Sequence, residues 1–317
     1  MTDNGTDLVI DSGPLSVAPE RIGVMDPRAG SRPRGPAKSE DWTFVIRPKT
    51  GWFDLHLAEL WRYRDLVLMY VRRDFVAKYE QTLLGPLWFV IQPVLTTLTF
   101  TLLFGKIAKL STDGLPKILF YLSGITAWNY FSECMIQASA TFYANAHTFG
   151  KVYFPRLVIP LSIVIANLAK FGIQLGIFLA FYCYFVVNGT AVHPTLALFL
   201  LPALVFLMAA LALGSGIIVS SLTTRYRDLR LLVQFGMQLL MYSTPVIVPL
   251  SQLPEEYRWI MLANPMTSVI EAFRYAFLGT GTFSWKYLGI SAALTTVILA
   301  VGVVYFNRIE KTFMDTV

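Results

Sequence analysis

Acidic side chains almost vanish after residue 85, where only Asp113, Glu133, Asp228, Glu255, Glu256, Glu271, Glu310 and Asp315 remain. No apolar stretch holds the two carboxylates that an intramembrane proton relay or a membrane glycosyltransferase would need. Histidine is as scarce: His56, His147 and His193 are scattered and show no metal-ligand spacing. The two cysteines, Cys134 and Cys183, both fall inside apolar runs and read as reduced core residues, neither a disulfide nor a metal site. No glycine-rich loop ends in Gly-Lys-Ser/Thr, so the chain cannot grip a nucleotide by itself. The first forty residues lack an apolar segment of the signal-peptide kind. These absences disfavour an enzyme, leave no cofactor or metal expected in this chain, and favour a transporter driven by a partner.

Apolar residues dominate instead. They make up 55% of the 317 residues, against about 45–50% in soluble domains, and the mean hydropathy is +0.55. The chain is expected to be an all-α integral membrane protein. The net charge of +6 comes from Lys and Arg that flank apolar segments, which fits cytoplasmic loops better than a nucleic-acid surface. Residues 1–41 are rich in Gly and Pro and poor in large apolar side chains, as in a disordered cytoplasmic tail. Their Arg28, Arg32, Arg34 and Lys38 can reach anionic lipid headgroups, although a solvated tail is the plainer reading. Residues 42–84 form a second region. Phe53, Leu57, Leu60 and Trp61 fall on one helix face, and Trp52, Tyr63 and Tyr70 are the aromatics that favour a bilayer interface. An amphipathic helix in the membrane plane is expected there.

Residues 85–317 carry six apolar segments near the ~20 residues that cross the hydrocarbon: 86–106, 117–139, 157–187, 196–222, 229–250 and 287–306. The third is long for one crossing, so it is tilted, kinked near Pro160, or projects into the cytoplasm. The stretch 251–286 has apolar runs too short to span and suits short re-entrant or interfacial helices in an outer hairpin. Arg72, Arg73 and Asp74 end the surface region, and Leu84-Gly85-Pro86 marks a hinge where the chain turns into the membrane. Lys and Arg are dense between Arg21 and Lys78. They recur as Lys151 and Arg156 after the second span, as Arg225, Arg227 and Arg230 after the fourth, and as Arg308 and Lys311 at the end. Both termini and these two loops are therefore expected in the cytoplasm, with Lys106, Lys109 and Lys117 of the first loop dissenting. The two cytoplasmic loops are natural contacts for an ATPase subunit; the competing role for their arginines is anchoring helix ends in headgroups.

Four groups of residues then resemble a known family. Arg72-Arg73-Asp74-Phe75 with Lys78-Tyr79, followed by Leu84-Gly85-Pro86-Leu87-Trp88 and Gln92-Pro93, is similar to the entry of the first span in type-2 ABC exporter permeases. Within that class the O-antigen and capsular polysaccharide export permeases match best. Lys151 to Arg156 with Pro160-Leu161-Ser162 resembles their first coupling segment, and Tyr226-Arg227-Asp228 their second. Thr244-Pro245-Val246, Asn264-Pro265 and Phe273-Arg274 resemble their outer hairpin. Each piece alone is weak; all four in this order are specific.

The resemblance implies a homodimer of this chain with two copies of a separate nucleotide-binding ATPase, which holds ATP and Mg. A lipid-linked polysaccharide would pass between the two permeases in the bacterial inner membrane. It implies ATPase coupling through His147, Lys151, Tyr153, Phe154, Pro155, Arg156, Arg225, Tyr226, Arg227 and Asp228. The outer hairpin would rest on Pro245, Asn264, Pro265, Glu271 and Arg274. Aromatic rings offer sugars flat apolar faces, so Tyr79, Trp88, Phe89, Phe100, Tyr121, Trp128, Tyr130, Phe131, Phe235 and Tyr242 are candidates for the entrance and channel, each against a simple packing role. Glu133 and Lys170, charged within spans two and three, are expected to pair or to line the channel, against Lys170 snorkelling. Glu271 and Arg274, three residues apart, suit a helix-surface pair. Two alternatives stand: the same architecture carrying a teichoic acid, a lipid or a drug, and an ATPase-independent carrier or channel.

Overall fold

The structure, a computed structural model, describes residues 57–77, 84–149, 151, 154–226 and 228–313. The tail 1–41, the amphipathic region as far as His56 and its end at 78–83, with Tyr79, lie outside the described residues, as do Tyr153 and Arg227.

All regular structure among the described residues is helical. Two helices precede the apolar rods: α1 (Leu57–Arg62) and α2 (Arg64–Ala77). On the face expected through Leu60 and Trp61, Leu60 packs partly against the neighbouring core while Trp61 is 73% exposed; the buried side chains of α2 are Val67 and Tyr70. The next rod runs from Gly85 to Ile107. Its middle is α3 (Trp88–Phe100), entered by a 3-10 turn with Pro86 in the first turn and continued by a π-helical stretch from Thr101 to Ile107. Pro86 costs no backbone bond at that position. Gly85 has φ +48°, a left-handed conformation that glycine adopts at no steric cost.

α4 (Lys117–Ser139) is the core helix, packed against α3 and every later helix from α7 to α11 except α10. After the short α5 (Thr141–Ala144) and α6 (Ala146–Phe149) comes α7 (Val158–Val187), an unbroken 30-residue helix. Pro160 lies in its first turn, where it leaves no carbonyl unpaired, so no kink arises there. A helix of that length is about 45 Å long, more than the ~30 Å of hydrocarbon. α8 (Leu201–Thr223) is preceded by a 3-10 stretch that makes Leu196–Thr223 one rod. α9 (Leu229–Tyr242) stops eight residues before the expected end of span five, because the chain turns at Ser243, Thr244 and Pro245. The stretch between spans five and six folds into α10 (Glu255–Leu262) and α11 (Pro265–Leu278), followed by α12 (Trp285–Phe313).

Four of these rods are long and apolar enough to cross a membrane: Gly85–Ile107, Val158–Val187, Leu196–Thr223 and Trp285–Ile309. α8 sits between α4 and α12, and glycines set the spacing. A Cβ on Gly214 would lie 2.7 Å from the Leu299 backbone, one on Gly302 2.6 Å from the Gly214 carbonyl, and one on Gly216 2.6 Å from the Ala138 side chain. Between lipid-embedded helices the hydrophobic effect contributes little, and close backbone approach through small residues supplies the packing. Of the two cysteines, Cys134 is buried as expected, whereas Cys183 points outward from α7.

Candidate functional site

Two apolar cores divide the helices. The larger joins α3, α4, α7, α8, α9 and α11. The smaller is an aromatic platform at the other end of α7 and α8. In it the Tyr70 ring of α2 lies 6.0 Å from Phe154, which lies 5.8 Å from Phe149. Phe149 is 6.0 Å from Phe142, and Phe142 stacks on Phe306 of α12 at 4.6 Å. The Arg156 guanidinium sits 5.2 Å over Phe149 and is buried. At the outer side of Tyr70, Arg73 lies 4.3 Å over the ring and donates to Asp74 at 2.7 and 2.9 Å. The surface helix α2 is thus linked to α12 through a chain of rings and packs directly against α7.

Both loops expected to couple to an ATPase emerge beside this platform and are joined to each other. The Phe142 amide donates to the Ser220 hydroxyl at 3.2 Å, and the Thr223 hydroxyl donates to the Ser139 carbonyl at 3.4 Å. The Arg230 guanidinium rests 3.5 Å over the ring of Tyr143, a cation–π contact between α9 and α5. His147, Lys151, Arg225, Tyr226 and Asp228 are exposed on the rim, with Pro155 half-buried. Phe154 and Arg156 differ from these in being buried, as parts of the platform. Tyr143 and Phe306 were missed because their partners are remote in sequence.

Lys170 and Glu133 do form an ion pair, and the Lys170 ammonium lies 4.9 Å over the Phe89 ring. One turn along, Asn167 donates to Gln137 at 3.3 Å. A charged pair on α4 and α7 therefore holds the first turn of α3. Leu84 and Gly85, the expected hinge, lie exposed and half-buried just before it, and Arg72 is exposed near the end of α2.

Glu271 and Arg274 also pair, at 3.0 Å, but not on a helix surface: they are 3% and 1% exposed. Arg274 donates from Nη2 to the Pro245 carbonyl at 2.7 Å and lies 3.8 Å over the Phe120 ring. Glu271 accepts from the Thr282 amide and hydroxyl at 3.0 and 3.2 Å. Gly124 and Gly281 make room, since a Cβ on either would come within 3.3 Å of Arg274 or 3.0 Å of Glu271. This clamp ties α11 to α4, to the turn after α9 and to the link before α12. Asn264 caps α11 by accepting from the Met266 amide at 3.0 Å, with Pro265 at the first helical position, the pairing that helix N-termini favour.

The nine aromatic candidates among the described residues split. Trp88, Phe235 and Tyr242 are more than half exposed, and Phe89 and Phe100 partly so. Tyr121, Trp128, Tyr130 and Phe131 are buried in the larger core, where Tyr121 meets Phe100 edge-on at 6.1 Å and Tyr130 packs on Phe171 at 5.2 Å. These four are packing rings in this chain, and a passing sugar could meet them only after the core repacked.

Apolar rods of spanning length, sewn by glycine contacts and crossed by buried ion pairs, define a polytopic membrane protein. The chain belongs to the ABC-2 type transporter family, whose sequence model matches residues 65–278. It is 27% identical over 252 residues to the O-antigen export system permease protein RfbA of Klebsiella pneumoniae, covering 79% of this chain and 94% of that one. It is 29% identical over 265 residues to the protein of that name from Myxococcus xanthus, covering 82% and 98%. The polysialic acid transport protein KpsM of Escherichia coli is 22% identical over 247 residues, covering 77% and 93%.

Proposed function

We propose that this chain is the permease subunit of an ABC transporter that exports lipid-linked polysaccharide of the O-antigen or capsule type across the inner membrane. The observation that carries this reading is similarity along nearly the whole length of proteins named for polysaccharide export. Two copies of the chain pair with two copies of a separate ATPase, which holds ATP and Mg. The exposed rim of His147, Lys151, Arg225, Tyr226 and Asp228 is the ATPase contact, and the aromatic platform beneath it is the rigid base against which the ATPase pushes. Six crossings are reached by adding α4 and α9 to the four apolar rods, with both termini cytoplasmic and α10 and α11 as an outer hairpin. α3 and α9 both flank α4, and both keep long apolar faces exposed, including Leu95, Leu98, Leu232 and Leu239. Those faces suit the second copy and the glycan path, with Trp88, Phe235 and Tyr242 as stacking surfaces at the path.

The test is deletion of the gene in its native cell and complementation with the wild-type chain. Loss of surface polysaccharide with build-up of lipid-linked glycan inside the cell is expected. Unchanged surface polysaccharide overturns the cargo, and purification of a transport-active chain without any ATPase overturns the ABC mechanism.

A further inference from the structure

The three-helix junction of α3, α4 and α7 carries polar groups that no described residue satisfies. Beginning at the Glu133–Lys170 pair, the helical repeat brings Thr126 of α4 and Gln174 of α7 onto the same facing sides. Glu133 and Thr126 are seven residues apart and Lys170 and Gln174 four, near whole turns; Phe89 and Thr97, eight apart, are offset by about 80° around α3, and Thr97 faces inward by its burial. With α4 antiparallel to the other two, these steps lead in one direction, by about 6 to 12 Å at 1.5 Å per residue. Thr97 and Gln174 are 2% exposed and Thr126 is fully buried. The Thr97 and Thr126 hydroxyls and the Gln174 amide nitrogen have no hydrogen-bond partner, and neither has the Thr101 hydroxyl one turn further along α3.

Helical threonines usually avoid this by folding back on a preceding carbonyl, as Thr96 does on Gln92, Thr223 on Ser220 and Thr296 on Ala292. The junction threonines make no such bond. A buried polar group without a partner costs about 1–3 kcal/mol, and in lipid no bulk water is at hand to relieve it. Clustered unmet donors and acceptors are the environment that holds buried water.

We propose that this junction is a water-binding site, in which ordered water molecules bridge Thr97, Thr126 and Gln174 and reach the far side of the Glu133–Lys170 pair. Bridging water satisfies the polar groups of three helices without locking them together, because water exchanges partners as they shift. The site is therefore a wet slip plane along which α3 moves against α4 and α7. It rests on the buried side chains alone and holds whatever cargo the protein carries.

The sign of a stability change tests it. Thr97→Val and Thr126→Val keep shape and remove a hydroxyl. In a wet junction each variant strips partners from bound water, and the thermal midpoint of the full-length protein in detergent should fall by about 2–4 °C, while Thr→Ser at either position restores wild-type behaviour. A rise or an unchanged midpoint means a dry junction and overturns the proposal. Should a valine variant fail to fold, X-ray radiolytic footprinting of the wild-type chain decides. Water beside Thr126 should label the buried Tyr130 ring well above the buried Phe306 ring of the platform, each relative to its rate in the unfolded chain. Equal protection of both rings overturns the proposal.

Discussion

Arg274 shows how much one side chain can organise. Its guanidinium joins a carboxylate, a carbonyl and a ring from three segments, all out of contact with solvent. Removing one member of a buried pair leaves the other charge uncompensated, which costs about 3–5 kcal/mol. Arg274→Ala is accordingly expected to lower the thermal midpoint sharply, whereas Glu271→Met combined with Arg274→Met should recover most of the loss. A double variant as unstable as the single one would mean that the Pro245 bond, and not charge pairing, dominates. The same logic applies to Glu133 and Lys170. Alanine at either is expected to reduce export, and exchanging the two charges should restore it; failure of the exchange would show that Lys170 acts through Phe89 instead. The i, i+3 spacing of Glu271 and Arg274 was legible in the sequence. Their burial was not, because it depends on Pro245, Phe120 and Thr282, which only the fold delivers.

At the scale of elements, apolar runs located the rods well, since 117–139 and 196–222 match α4 and the α8 rod to within a residue. Span five was overestimated because Val246 to Leu250 stay apolar after the helix has ended at Tyr242. Composition cannot separate a helical apolar residue from a buried turn. The burial of the four aromatic candidates on α4 was illegible for a related reason: rings on one helix look alike in sequence whether they face outward or into the core. Glycine packing gives a sharp prediction. Gly214→Val or Gly302→Val forces α8 and α12 apart and should abolish a monodisperse peak in size-exclusion chromatography. Gly236→Ala, with no heavy atom within 4 Å of its added Cβ, should leave that profile unchanged. Gly85→Val probes backbone instead of packing. Its Cβ also meets nothing, so the expected cost is the roughly 1–2 kcal/mol of a left-handed L-residue. Slowed export with normal assembly is the expected outcome, and wild-type export would deny Gly85 a hinge role.

Over the whole molecule, the aromatic platform and the buried clamp of α11 lie at opposite ends of α4. Under the proposed mechanism, movement at one end would reach the other through that helix, which lies in the larger core, runs into the Phe142 segment of the platform and has no exposed residue. Under that mechanism the input is applied at the joined loops. Arg230 over Tyr143 and the Ser220–Phe142 bond make the loop after α8 and the segment after α4 a single unit. Arg225 and Asp228 stand free of the core on its rim. Substituting both by alanine should leave the fold and ATP hydrolysis by the assembled transporter near wild type while export drops severalfold, because the rim would still bind but no longer transmit. Tyr143→Ala should give the same uncoupling from within the unit, with the rim itself untouched. Hydrolysis and surface polysaccharide, measured in parallel for both variants, separate the outcomes. Unchanged export in both would make the arginines headgroup anchors, and parallel loss of hydrolysis and export would make the rim an assembly contact instead of a transmission element.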